Sequence, residues 1–351
     1  MDITLLEETV KKMMAPGKGL LAADTSIAST KKRFDAVGVE STPQTRGEYR
    51  GLLFSTPGIE QFLSGVILFE ETFWQTGKDG LFREYLKNKG ILPGIKVDKG
   101  LVDLPGFPGE KVTQGLDGLP EQLETFAAAG ARFAKWRAVI AIGDGIPTDQ
   151  CIVANSLSLA RYARLCQDHD IVPIVEPEVL FDGKHTAEQC EQVMAHTLDV
   201  LFQTLKAYRV HLPGTILKSS MALPGKDSGM PIDHKDVAER TVRVFRGHVP
   251  KELGGIVFLS GGQTSDDAFL DLDSIVDQAV KGGPHPWGLT FSYDRALQDP
   301  VLKAWAKDQN NNQAVQKIFY HQLELASAAA RGEIEKFKLG SDKFVSNAQD
   351  L

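Results

Sequence analysis

Short apolar runs recur along the chain with little alternation, each followed by a longer stretch of mixed polarity. The runs are Gly19–Asp24, Gly65–Glu71, Leu92–Asp98, Ala131–Arg137, Ile171–Glu178, Gly214–Met221, Gly255–Ser260 and Gly288–Ser292. β-Branched and apolar residues without alternation suit parallel strands covered on both faces. Between them, helix is predicted over 45–54, 79–88, 120–129, 147–169, 186–208 and 234–246, from Ser265 onward, and over 299–330. Thr42-Pro43 reads as an N-cap with proline in the first turn. Residues 25–40 read as a polar segment, and the glycine- and proline-rich 100–119 as a long loop. Eight strand-then-helix units at a spacing of roughly 40 residues predict an α/β fold, a single closed (β/α)8 TIM barrel, in preference to a doubly wound open sheet. An amphipathic helix over Met1–Met14 precedes the barrel, and the polar, aperiodic 332–351 is expected to be a mobile tail. No linker divides residues 1–351.

What ends these strands changes the picture from fold to chemistry. Asp24 ends the first run and Glu70 the second; Lys96 lies in the third and Lys135 in the fourth. Glu176 and Glu178 end the fifth, Lys218 the sixth and Ser260 the seventh, and Tyr293-Asp294-Arg295 follow the eighth. A barrel of this kind builds its site at the carboxyl ends of its strands, so these side chains converge. Three ammonium groups in one cup repel each other, and at least one pKa is expected to fall. Lys218, with no carboxylate in its own strand, is the candidate nucleophile: a neutral amine there would form a Schiff base with a carbonyl. Lys135 is the cationic neighbour. Glu176, between Val175 and Pro177, is expected to have its pKa raised by burial and to move protons during imine formation. Asp24 is a second base for a different substrate atom. Salt bridges from Glu176 and Asp24 to these lysines are compatible with those roles.

Two stretches suit phosphate. Ser260-Gly261-Gly262-Gln263-Thr264 places small residues between a strand and a helix, where backbone N–H groups reach an anion, and Arg295 adds a bidentate contact. Across the mouth, Ser26, Ser29, Lys32, Arg33 and Lys96 offer a second anion site, with Lys31-Lys32-Arg33 as an ordinary solvated basic patch the competing reading. The eight histidines show no metal-ligand spacing, and an imine mechanism needs no metal. No metal or other cofactor is expected.

Composition narrows the partners. The 351 residues carry a formal net charge of -7, with no basic tail, which argues against nucleic acid. Three cysteines form neither a disulfide framework nor a zinc pattern, which fits a reducing compartment. Without a signal-peptide pattern or a membrane-length apolar run, the protein is expected to be soluble and cytoplasmic, with no membrane partner.

Seven stretches then resemble class I fructose-bisphosphate aldolases: Leu20–Ser26, Gly94–Gly100, Thr113–Leu119, Phe133–Arg137, Ile174–Glu178, Phe258–Gln263 and Phe291–Gln298. The likeness runs in order over nearly the whole chain. It implies reversible cleavage of fructose 1,6-bisphosphate to glycerone phosphate and glyceraldehyde 3-phosphate, in glycolysis and gluconeogenesis. By that resemblance Lys218 is the Schiff-base lysine, Glu176 the acid/base of imine formation, Asp24 the base at the C4 hydroxyl and Lys135 the charge neighbour. Ser260, Gly261, Gly262 and Arg295 are expected on one phosphate, and Ser26, Ser29, Arg33 and Lys96 on the other side. Arg137, Glu178 and Ser292 are the remaining candidate substrate contacts. A homotetramer is implied too.

The chain departs from the family's pattern in places. Family members end in a tyrosine that helps proton exchange on the enamine, whereas Phe344–Leu351 contains none, so a slower step or a substitute group is expected. Ser219-Ser220 replaces Pro-Asn, Thr25 replaces a glutamate, and Asp294 stands in place of glycine, where an inward-pointing carboxylate would weaken phosphate binding. Two other readings stay open. One is a Schiff-base lyase for a different sugar phosphate. The other is a barrel acting mainly as a binding scaffold, against which the intact set of Lys218, Glu176, Asp24 and Lys135 argues.

Overall fold

The computed structural model describes residues 1–335 except Gly282 and Pro284. Eight parallel strands close into a barrel: β1 (Gly19–Ala23), β2 (Leu63–Leu68), β3 (Leu92–Lys96), β4 (Phe133–Ile140), β5 (Val172–Val179), β6 (Ile216–Ser219), β7 (Gly255–Phe258) and β8 (Leu289–Tyr293). Each pairs with its neighbours in chain order, and β1 closes the ring on β8. The expected fold is therefore the observed one.

The interior follows from a period of two along each strand. Leu20 and Ala22, Ile67, Phe133, Val172 and Ile174, Ile216 and Val257 form one inner cluster. The N-terminal helix Ile3–Met13 closes it from below, adding Leu6, Val10 and Met13 from one face. Asp2 caps that helix by accepting from the Leu5 N–H at 3.0 Å. The inner layer is full. A Cβ on Gly94 would lie 2.1 Å from the Phe133 ring, so only glycine lets that ring occupy the barrel axis. Continuing the same parity toward the carboxyl ends leads from Ala22 to Asp24, from Phe133 to Lys135 and Arg137, from Ile174 to Glu176 and Glu178, and from Ile216 to Lys218. The apolar layers thus pass directly into a charged layer at the mouth.

Several local expectations are corrected. Residues 25–40 contain a helix, Ile27–Asp35, capped by Ser26. The loop over 100–119 carries a two-stranded ribbon, Leu101–Asp103 with Lys111–Thr113. Residues 76–81 form a tight hairpin before a short helix, Phe82–Asn88. The last predicted helix is two, Arg295–Lys307 and Asn312–Ala329, the second capped by Asn311. Glu70 does not end a strand: it opens the short helix Glu70–Trp74 and pairs with Lys99 at 3.1 Å. The start of the expected tail is packed, with Ile334 buried and its N–H donating to Asp273 at 2.9 Å. The rest of that tail, residues 336–351, including the segment without a tyrosine, lies outside the described residues. No helix among the described residues is long and apolar enough to cross a membrane.

Candidate active site

Strand register brings the central charges together. Leu217 of β6 pairs with Val175 of β5, which sets Lys218 beside Glu176. Arg137 of β4 pairs with Glu176, and Lys96 of β3 with Lys135. Lys218 Nζ lies 3.1 Å from Glu176 Oε1, Lys135 Nζ 3.2 Å from Glu176 Oε2, and Lys135 Nζ 2.6 Å from Asp24 Oδ2. The four residues are 4%, 3%, 3% and 7% exposed for Lys218, Glu176, Lys135 and Asp24. Two cations and two anions thus form an unbroken chain, Lys218–Glu176–Lys135–Asp24, with the charges balanced. Buried ions persist only when paired in this way.

The protonation states follow from the pairing. Burial alone would raise the Asp24 carboxyl, but Lys135 and then Lys218 hold it down at about 2. Burial would lower the Lys135 ammonium, yet Asp24 and Glu176 keep it well above its ordinary value. Glu176 corrects the sequence reading. Burial does push its carboxyl up, but Lys135, Lys218 and Arg137 outweigh that and hold it below the ordinary carboxylate range. Glu176 is therefore an anion in the resting site, an acceptor beside Lys218.

The remaining candidates divide. Ser260 is buried two residues after β7, and Gly261 and Gly262 follow with φ of 52° and 103°. Those left-handed turns expose the loop backbone ahead of the helix Ser265–Lys281. The exposed Arg295 reaches this loop: a Cβ on Gly262 would meet its Nη2 at 3.1 Å. Gln263 is fixed from behind, donating to the buried Asp271, which also accepts from His234. Ser292, on β8, is buried with its Oγ unpaired. Ser26 and Ser29 stand at the start of their helix, where Ser26 Oγ accepts from the Ser29 N–H at 3.3 Å.

Three expected anion contacts are engaged elsewhere. Lys96 Nζ turns back onto Asp98, 2.5 Å from the carboxylate and 2.8 Å from its backbone oxygen. Arg137 donates to Glu178. Arg33 Nη1 lies 2.8 Å from Asp294 Oδ1 and its Nη2 2.8 Å from Asp299 Oδ1. The Asp294 carboxylate points toward Arg33 and Thr25, which donates to it at 3.1 Å. Sequence reasoning missed Asp98, a buried carboxylate that also accepts from the Arg137 and Gly100 N–H groups. Its position two residues after Lys96 was the available signal. It also missed Arg50 and Gln298, which are joined behind Asp294. Among the described residues, no group of three His, Cys, Asp or Glu side chains is placed to hold a metal ion.

The chain matches a family model described as fructose-bisphosphate aldolase class-I over residues 5–349. It is 49% identical to a protein of Xanthomonas campestris pv. campestris named "Probable fructose-bisphosphate aldolase class 1", over 95% of this chain and 99% of that one. It is 46% identical to the "Fructose-bisphosphate aldolase 4, cytosolic" of Arabidopsis thaliana, over 90% of this chain and 80% of that one. Its structure resembles Plasmodium falciparum fructose-bisphosphate aldolase, solved with TRAP and a small-molecule inhibitor, with a TM-score of 0.91. That likeness has 46% identity and covers 94% of this chain and 95% of the other. Full-length likeness in sequence and in structure, around a strand-end lysine paired with a carboxylate, means that this chain belongs to the class I fructose-bisphosphate aldolases, the glycolytic lyases that cleave fructose 1,6-bisphosphate through a lysine Schiff base.

Proposed function

We propose that Lys218 forms that Schiff base and that the buried chain of Lys218, Glu176, Lys135 and Asp24 runs the cleavage without a metal. The observation that carries this reading is the 3.1 Å contact between Lys218 Nζ and the anionic Glu176. An ammonium must lose a proton before it attacks, and Glu176 is the adjacent acceptor. The amine adds to the ketose C2 carbonyl. Glu176 then returns the proton to the carbinolamine hydroxyl, which leaves as water and gives the iminium. Asp24 takes the C4 hydroxyl proton. The C3–C4 bond breaks, its electron pair passes into the iminium as an enamine, and the aldehyde leaves. Protonation at C3 and hydrolysis release glycerone phosphate and the free lysine. Lys135 stays charged between the two carboxylates and keeps both ionised for these transfers.

Gly261, Gly262, Ser260 and Arg295 suit one phosphate, as exposed backbone donors with a guanidinium beside them. Ser26, Ser29, Arg33 and Lys96 take the other side, with Arg33 and Lys96 leaving their carboxylate partners to do so. Arg137, Glu178 and Ser292 line the sugar between. The three cysteines are buried and unbridged, and a curated relative is named cytosolic, which supports a cytoplasmic enzyme. A homotetramer, as the resemblance implies, would sediment at about four times the 38.4 kDa of one chain.

Protein dialysed against EDTA should cleave fructose 1,6-bisphosphate at the rate of the untreated enzyme, and faster than it cleaves ketose monophosphates. Activity lost to EDTA and restored by a divalent cation would remove the imine reading. A preference for another sugar phosphate would change the substrate and keep the mechanism.

A further inference from the structure

The charge cluster beside the mouth is built differently from the catalytic chain. The Arg33 guanidinium comes from the helix Ile27–Asp35, which carries Ser26 and Ser29 at its start. Its two terminal nitrogens each face a carboxylate, Asp294 and Asp299, at 2.8 Å. Asp294 sits between the end of β8 and Arg295 and is itself held in place. Gln298 Nε2 donates to its Oδ1 at 2.7 Å, Thr25 to its Oδ2 at 3.1 Å, and the buried Arg50 fixes Gln298 from behind at 2.7 Å. Thr25 is the residue after Asp24, so the cluster adjoins the catalytic chain. At the surface Arg33, Asp294 and Asp299 carry one positive and two negative charges, while the second cation, Arg50, is buried behind Gln298. A phosphate dianion meeting that triad gains little from Arg33 and is repelled by the carboxylates. Asp299 is the looser of the two, with a more exposed side chain, whereas Asp294 is fixed from three sides.

We infer that Asp294 is a specificity-determining positioning residue, which holds Arg33 away from the second phosphate and so limits the preference for bisphosphates over monophosphates. This rests on the reading of Arg33 as a ligand of that phosphate. The Asp294 carboxylate acts through the guanidinium it holds. The substrate phosphate has to displace one carboxylate, so part of the Arg33 contact is offset by the ion pair it replaces.

The test is a four-cornered set: wild type, Arg33→Ala, Asp294→Asn and the double variant. Each is assayed for KM and kcat on fructose 1,6-bisphosphate and on fructose 1-phosphate. Asparagine keeps the size of the side chain and an acceptor for Gln298 while removing the charge. Asp294→Asn should lower KM for the bisphosphate about five- to tenfold and move kcat less than about twofold. The kcat/KM ratio of bisphosphate over monophosphate should rise by a similar factor, and the gain should vanish in the Arg33→Ala background. A purely structural Asp294 would lower melting temperature without this split. An unchanged or raised KM in Asp294→Asn, or a gain that persists without Arg33, overturns the inference while leaving the Arg33 assignment intact. If Arg33→Ala alone leaves KM for the bisphosphate unchanged, the assignment of Arg33 fails first and the inference with it. Should Asp294→Asn not fold, Asp299→Asn removes the other carboxylate and should give a gain of about twofold in the same direction; no gain there counts against the inference.

Discussion

Replacing Lys218 by methionine should lower kcat for fructose 1,6-bisphosphate cleavage by about 10^5-fold or more, the scale on which loss of a covalent nucleophile is felt. Methionine keeps most of the volume in a site that is almost closed to solvent. It also leaves Glu176 with Lys135 at 3.2 Å, so the carboxylate is not stranded. The fold should survive, with a stability change of about 1 to 2 kcal/mol. Lys218→Arg separates charge from nucleophile: it keeps a cation beside Glu176 but cannot form the imine, and should be equally inactive. Steady-state assays on both variants, beside thermal melts, check this. Substantial activity in the arginine variant would mean that Lys218 acts as a charge and that the covalent step lies elsewhere.

The second large effect concerns Lys135. Lys135→Met takes the shared cation from between Asp24 and Glu176 and leaves two buried carboxylates, with Lys218 and Arg137 still acting on Glu176 and Lys218 and Lys96 on Asp24. Breaking a buried ion pair on one side costs about 3 to 5 kcal/mol. Turnover should fall by about 10^2- to 10^4-fold, as proton transfer through Asp24 and Glu176 is mistuned. The pH dependence gives the sharper sign. In the intact protein the Asp24 carboxyl is held at about 2, below its ordinary 3.8. That pairing contributes stability of about 2 kcal/mol, present above pH 4 and lost as the pH falls toward 2. Without Lys135, burial is expected to outweigh the remaining cations, Lys218 and Lys96, so that the folded-state pKa rises above the unfolded one. The variant should then gain stability on acidification from pH 7 toward pH 4, where the intact protein has none to gain from this group. Denaturation midpoints across that range decide it, and parallel curves for the two proteins would mean that Lys135 is not what ionises Asp24.

The sequence made the barrel and its central chemistry legible because both rest on a period of two. Ala22 predicts the direction of Asp24, Ile174 that of Glu176 and Ile216 that of Lys218, so an apolar strand that ends in a charge states where the charge points. Elements with weak patterns were harder to see. The helix Ile27–Asp35 buries only Thr30 and Phe34, too little to stand out from a polar segment. The ribbon over 101–113 has three-residue strands, shorter than an alternation can reveal. The break between the last two helices did have a signal, the polar run Asp308-Gln309-Asn310-Asn311. Two of the errors at the site share one cause: partners far apart in the chain. Arg33 looked free for an anion because Asp294 and Asp299 lie more than 260 residues away. Glu176 was expected to rise in pKa because burial was visible in its strand, whereas its cations come from neighbouring strands. Glu70 was placed one element too far because the strand ends at Leu68.

Borohydride reduction of the intact, EDTA-treated protein tests the central claim most directly, with and without fructose 1,6-bisphosphate or glycerone phosphate, followed by peptide mass mapping. The account predicts a ligand-dependent mass added at Lys218, absent in Lys218→Met, together with loss of activity in the reduced protein. A ligand-dependent adduct on another lysine, or full activity with no trapped adduct, would contradict it.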